Sequence, residues 1–139
     1  MYKIEIIKKE NLHTILPLIK LLNPGKEEKV LMDRLEDMTY RQYECVGVYD
    51  DGKLIAVSGI WILNKLYVGK HIEPDNVVVH PDYRGKQIGE QMIQWICDYG
   101  KQQGCIASEL NCYLENEKGI KFWKDQGYKI LGYHFQKQL

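Results

Sequence analysis

The stretch Val77-Val78-Val79-His80-Pro81-Asp82-Tyr83-Arg84-Gly85-Lys86-Gln87-Ile88-Gly89 runs from β-branched residues through a Pro-Asp turn into basic and glycine residues, and an amphipathic segment follows at once. A helix starting here exposes unpaired N–H groups and about half a positive charge at its first turn. Gly85 and Gly89 stand four apart, which on a helix leaves one face of backbone uncovered, and Arg84 and Lys86 add charge. Such a terminus can take phosphate oxygens directly on its amides. The same residues also suit an ordinary strand-to-helix corner, with glycine easing the bend and the basic side chains in water. Both readings stand on these residues alone. The spacing is not that of a Walker loop, since no Lys-Ser/Thr follows the second glycine, and it is not GxGxxG. Cys45, Cys97, Cys105 and Cys112 form no CxxC pair of the kind that holds a metal. They read as buried, reduced thiols of a cytoplasmic protein.

The elements that would position this junction follow from periodicity. Tyr2–Ile7 alternates like a strand. Leu12, Ile15, Leu16, Ile19 and Leu22 follow helical spacing until Asn23-Pro24-Gly25. Glu27–Tyr40 reads as a second helix with Val30, Leu31, Leu35 and Met38 inward. Tyr43–Tyr49 and Leu54–Leu63 are strands joined by the hairpin turn Asp50-Asp51-Gly52. Tyr67–Val79 is a third strand region, interrupted at Pro74. Arg84–Gln103 is a helix with Ile88, Met92, Trp95, Ile96 and Tyr99 on one face, closed by Gly104. Cys105–Tyr113 is a strand, Asn116–Gln126 a short helix capped by Gly127, and Tyr128–Phe135 a last strand. The order βααβββαβαβ gives a mixed, mostly antiparallel α/β (α+β) sheet flanked by helices. Its one βαβ crossover, from Val77 to Cys105, makes two strands parallel. A ligand crevice is expected at the carboxyl end of the strand entering that crossover.

The 139 residues fit one domain, 1–139, and 45% apolar content suffices for one core. Nineteen Lys and Arg balance nineteen Asp and Glu, which argues against a nucleic-acid or membrane-surface binder. No apolar run nears the ~18 residues of a membrane span. The opening MYKIEIIKKENL is interrupted by charges and does not read as a signal peptide.

The junction resembles the acetyl-CoA signature of the GNAT N-acetyltransferases, Gln/Arg-x-x-Gly-x-Gly/Ala. Arg84 and Gly89 match its ends, and Gln87 stands where the pattern has its middle glycine. Asn116-Glu117-Lys118-Gly119-Ile120-Lys121-Phe122-Trp123-Lys124-Asp125-Gln126-Gly127-Tyr128 resembles the family's N-x-x-A-x-x-F-Y-x-x-x-G-F segment, and the element order is similar over nearly the whole chain. Within the family, Gly69–Glu73, Val77–Val79 and Tyr83–Gly89 look like the glucosamine-6-phosphate N-acetyltransferases, with Pro74-Asp75-Asn76 lengthening the strand. The resemblance implies acetyl-CoA as co-substrate, with no metal, in a cleft between the Val77 and Cys105 strands. Pantetheine would pair with backbone near Val77, Val78 and Val79. The pyrophosphate would sit on the amides of Arg84, Gly85, Lys86, Gln87, Ile88 and Gly89, with Asn116 touching the cofactor from the last helix and Trp123 packing against the cofactor or the core. Asn116 also reads as a helix cap.

Acetyl transfer to an amine implies a base, because an alkyl ammonium has a pKa of ~10.4 and is protonated at neutral pH. Glu73 is the first candidate, with Asp75 and then His71 behind it; His71 and His80 otherwise read as surface or turn residues. Without a bulge, His71, Glu73, Asp75, Val77 and Val79 share one strand face, and a bulge near Pro74 would break that parity. The oxyanion would take backbone N–H groups around Val77 and Val78. Many family members carry a tyrosine acid where Trp123 stands, and an indole is no useful acid. A thiol of pKa ~8.5 can leave as the anion. Tyr113 and Tyr128 are substitutes that otherwise read as packing aromatics, and Trp95 reads as core. The expected acceptor is a small-molecule primary amine such as an amino-sugar phosphate, a polyamine or an amino acid derivative. A protein lysine or N-terminus, or a sensor that binds acyl-CoA without turnover, are the alternatives. A homodimer through Tyr128–Phe135 would protect an exposed strand edge.

Overall fold

The loop Asp51-Gly52 turns the chain tightly: φ is 48° at Asp51 and 82° at Gly52, the positive pair that a two-residue hairpin needs. The computed structural model describes residues 1–139. From this hairpin grows a five-stranded sheet of β1 (Lys3–Ile6), β2 (Glu44–Asp50), β3 (Lys53–Lys65), β4 (Gly69–Val79) and β5 (Ala107–Ser108), ordered as numbered. All neighbours are antiparallel except β4 and β5, which are parallel. No helix is long and apolar enough to cross a membrane.

Alternation along the strands sends apolar side chains to both faces, and each face has its own helices. A 3-10 turn (Lys9–Ile15), α1 (Leu16–Leu22) and α2 (Glu28–Tyr40) cover one face, where Leu12, Ile15, Leu31 and Leu35 pack with Tyr43, Cys45, Val57 and Val78. On the other, α3 (Ile88–Gln102) and α4 (Glu117–Asp125) bury Ile88, Met92, Ile93 and Ile96 against Val46, Val48, Ile60 and Ile72. Val30, expected inward, is exposed, whereas Leu31 and Leu35 carry the contact. Trp95 is half-buried and stacks on Tyr99 with ring centroids 5.3 Å apart.

Three strand expectations change. Pro74 does not interrupt β4, because Glu109 N–H donates to the Ile72 carbonyl at 3.0 Å, so the backbone polar groups of Ile72, and of Pro74 two residues on, point toward β5. The pairing with β5 ends at Ile72 and Ser108, so the N–H that Pro74 lacks costs no bond to β3. The expected strand Cys105–Tyr113 shrinks to Ala107–Ser108 for the same reason: β4 offers β5 no further donor at Pro74. The expected last strand Tyr128–Phe135 is absent, and residues Lys129–Leu139 are exposed. A strand needs a partner edge, and none of the sheet's edges meets this segment.

Candidate functional site

Beyond Ile72, β4 continues to Val79 without a neighbour on its β5 side, and the two strands open into a cleft. At the carboxyl end of β4 the chain makes a short 3-10 turn (Pro81–Tyr83) and enters α3 at Ile88, later than the expected Arg84. Gly85 therefore lies outside the helix, so Gly85 and Gly89 do not share a helical face. Gly85 has φ 78° and Gln87 φ 61°, and this pair of left-handed residues curls the backbone. The N–H groups from Gly85 to Glu90 make no hydrogen bond within the chain. All these residues except Lys86 line a cleft of about 310 Å³, completed by Val79, Tyr83, Arg84 and Phe122. A run of free amides at a helix N-terminus has the polarity and shape to hold an anion. The left-handed φ at Gln87 explains why the signature has glycine there; a glutamine holds the same turn at a strain of ~1 kcal/mol. Gly89 matters differently: a Cβ there would come to 3.3 Å from the Phe122 ring, close enough that the ring must give by a few tenths of an ångström. Arg84 Nε donates to the Val79 carbonyl at 3.3 Å, and Lys86 lies 5.2 Å from the centre of the Tyr83 ring. A larger hollow of about 510 Å³ at the far edge of the sheet, lined by Met1, Lys3, Glu5, Tyr49, Asp51 and Gly52, is open to solvent and carries the exposed Lys3–Glu5 ion pair.

A bulge decides the parity of β4. Val57 pairs with Val78 and Gly59 with Asp75, so Asn76 and Val77 together oppose Ser58, and Asn76 takes φ 55°. His71, Glu73 and Asp75 consequently face the α1–α2 side with Trp61, while Val77 and Val79 face α3. The carboxylates and the two valines do not share a face. Asp75 accepts from the Trp61 indole at 2.9 Å. Glu73, with a side chain 18% exposed, stands at the point where β4 and β5 part.

His71 is neither a surface nor a turn residue: it is fully buried. Its Nδ1 lies 3.0 Å from the Gly69 carbonyl and its Nε2 2.8 Å from Glu73 Oε2. Glu109, just past β5, stands 3.8 Å from the same Nε2 and accepts from the Tyr67 hydroxyl. Burial pulls the His71 pKa down, but the Gly69 carbonyl, Glu73 and Glu109 outweigh it and hold the imidazole above its ordinary value. One ligand atom each from His71, Glu73 and Glu109 lie within 4.8 Å of one another, a spacing that also admits a cation. The 2.8 Å contact is the length of a hydrogen bond. Glu109 and the burial of His71 went unread in the sequence. Strand parity hints at both, but only the parallel register of β4 and β5 brings them together.

The remaining candidates separate. Asn116 caps α4, its Oδ1 accepting from Gly119 N–H at 3.0 Å, and any Cβ at Gly119 would meet that amide. Trp123 packs edge-on between Phe122 and Tyr128, with centroids 5.0 and 5.3 Å away. Tyr113 is exposed. The Tyr128 hydroxyl lies 2.6 Å from Ser108 Oγ, and its burial keeps the phenol protonated well above the usual range. Burial likewise pushes the Cys45 thiol up to about 12. His80 is the turn residue expected, accepting from Asp82 N–H at 3.1 Å.

Comparison with known proteins agrees with this arrangement. Residues 12–128 match the Acetyltransferase (GNAT) family. The glucosamine 6-phosphate N-acetyltransferase of Arabidopsis thaliana is 34% identical over 68 residues, covering 48% of this chain and 46% of that protein. The aminoalkylphosphonate N-acetyltransferase of Salmonella typhimurium is 31% identical over 90 residues, 64% of this chain and 58% of that protein. The chain thus spans about half the length of these curated relatives. The fold is also that of an aminoglycoside N-acetyltransferase solved in complex with CoA, with a TM-score of 0.86 at 18% identity over 100% of this chain and 95% of that one. Splayed parallel strands, a glycine-flanked helix start and a family match over most of the sequence agree: the chain belongs to the GNAT family of acetyltransferases.

Proposed function

We propose that this protein transfers the acetyl group of acetyl-CoA directly to a primary amine of a small molecule. The observation that carries the reading is the run of free amides from Gly85 to Glu90, at the carboxyl end of β4 where β5 has turned away. The pyrophosphate of acetyl-CoA would lie on these amides beside Arg84 and Lys86. The pantetheine would continue the sheet along the unpaired edge of Val77–Val79, and Asn116 and Trp123 would border it from α4. The relatives' names support amine acetylation and span amino-sugar and aminophosphonate acceptors.

Glu73 serves as the base in this reading. Asp75 is already bound to the Trp61 indole, whereas Glu73 sits at the mouth of the splay. The amine, once neutral, attacks the thioester carbonyl, and backbone amides beside Val77 and Val78 receive the oxyanion. The thiolate of CoA then leaves as the anion, which a thiol of pKa ~8.5 allows without a tyrosine at Trp123, and the proton still on the amide nitrogen passes to water or to that thiolate. Four unpaired cysteines suit a reducing cytoplasm. The chain pairs with a second copy through its C-terminal segment, where Leu131, Tyr133 and Phe135 are exposed at strand spacing.

Thiol release from acetyl-CoA across a panel of glucosamine-6-phosphate, aminoalkylphosphonates, polyamines, amino acids and lysine peptides tests the reading. A saturable small-amine acceptor is expected. Tight acetyl-CoA binding with no transfer to any acceptor would favour a sensor, and no binding at all would overturn the assignment of the cleft.

A further inference from the structure

We infer that His71 is a positioning residue for Glu73: the buried imidazole and the carboxylate form a single proton seat, and that seat receives the proton the acceptor ammonium gives up. This inference rests on the proposed acetyl transfer. The geometry that carries it is a question of donors and acceptors. Nδ1 of His71 faces the Gly69 carbonyl at 3.0 Å, and a carbonyl only accepts, so Nδ1 holds a hydrogen. Nε2 of the same ring faces Glu73 Oε2 at 2.8 Å. With both groups deprotonated, two lone pairs would meet at that distance. The contact therefore contains one further proton, shared by imidazole and carboxylate.

The pair has two states that matter. In the filled state the proton lies between Oε2 and Nε2, and the base is idle. In the empty state His71 is neutral and Glu73 ionised, and the two lone pairs part beyond the 2.8 Å of the filled contact. An ammonium reaching Glu73 then breaks one N–H bond. Its electron pair stays on nitrogen as the nucleophile, and its proton enters the seat, to be passed later to water. A lone carboxylate of pKa ~4.3 is too weak a base to accept that proton readily. With the imidazole 2.8 Å away, a proton arriving at Glu73 Oε2 has a second acceptor in Nε2.

The groups that face the pair bear on its proton affinity. Glu109, 3.8 Å from Nε2, favours the filled state. The Tyr67 hydroxyl on Glu109 moderates its charge, and Lys65, 4.0 Å from Glu73 Oε2, opposes filling. Asp75 lies further along the same strand face and is engaged by Trp61.

The decisive experiment is a side-chain nitrogen NMR titration of the four histidines in the full chain, compared with Glu73→Gln and Glu109→Gln. His71 should keep Nδ1 protonated throughout and should titrate at Nε2 with a midpoint above the ordinary histidine value of ~6.5. Glu73→Gln should lower that midpoint by about one pH unit, tenfold in proton affinity, and Glu109→Gln should lower it less. The acid limb of kcat/KM for whichever amine in the panel is acetylated should follow the same midpoint, moving down in Glu109→Gln. A His71 midpoint unmoved by Glu73→Gln, or an Nε2 unprotonated from pH 5 to 9, would overturn the shared seat. An acid limb that ignores the His71 midpoint would overturn its role as proton acceptor. A shared proton without transfer to any amine would overturn the enzymatic reading and, with it, that acceptor role.

Discussion

At the scale of single residues, two carboxylates on one strand face have unequal fates because their neighbours differ. Asp75 holds an indole N–H, and Asn in its place can still accept that bond, so Asp75→Asn should leave acetyl transfer largely intact. Glu73→Gln removes the proposed base, and kcat should fall by about 10²- to 10⁴-fold; steady-state rates with a common acceptor compare the two, and equal losses would sink the distinction. The His71 pKa is raised in the folded chain, so its ion pair with Glu73 contributes stability that is complete below the unfolded value of ~6.5 and lost as pH rises through the folded one. Urea unfolding at pH 6 and pH 9 should show wild type losing stability toward the alkaline side, and Glu73→Gln losing less. Parallel pH dependence in the two proteins would contradict the pairing.

At the scale of elements, the cleft exists because β4 and β5 stop pairing, and Pro74 supplies a reason: it offers no N–H on the side where β5 would continue. The bulge at Asn76 then turns Val77 and Val79 toward α3 and leaves the acidic residues on the α1–α2 face. Two glycines hold this machinery close. Gly59 lies under the Tyr43 ring, where an added Cβ would stand 1.9 Å from the hydroxyl oxygen. Gly59→Ala should cost ~3 kcal/mol through overpacking, seen as a lowered melting temperature; an unchanged melt would mean the Tyr43 ring has another place to go. Gly89→Ala places its methyl against Phe122 at the edge of the amide cradle. It should weaken acetyl-CoA binding by calorimetry while leaving the melting temperature the same or higher, since alanine favours a helix by ~0.8–1 kcal/mol over glycine. Unaltered binding would argue that the cofactor does not approach Gly89.

At the scale of the whole molecule, the C-terminal segment stands out. Leu131 is 83% exposed and Phe135 89%, and their alternate spacing with Tyr133 would put all three on one face if the segment paired as a strand. The outer edge of β5 carries no strand. In the proposed dimer this exposed apolar segment would add as a strand to the unpaired β5 edge of a second copy, and the reverse, across a twofold axis. Light scattering should therefore find a dimer, and removal of residues 129–139 should give a monomer. A monomeric full chain would overturn the pairing.

The sequence by itself determined which residues form the strand–turn–helix junction, the order of the helices and most strands, and the hairpin at Asp51-Gly52. These are local matters: periodicity, glycine at positive φ and a turn signal act within a few residues. It also carried the family signature, including the departure at Gln87, whose cost the left-handed φ now accounts for. Only the tertiary structure decided where α3 begins, which face Glu73 takes, that His71 is buried, and that Glu109 joins it. The start of α3 follows the left-handed turn at Gly85 and Gln87, and the other three depend on pairing between strands distant in sequence. A single bulged residue reverses every side chain beyond it, and a strand has no existence without a partner edge. For that reason the last strand read from alternation at Tyr128–Phe135 has no counterpart within one chain, while the cleft that β4 and β5 leave between them does.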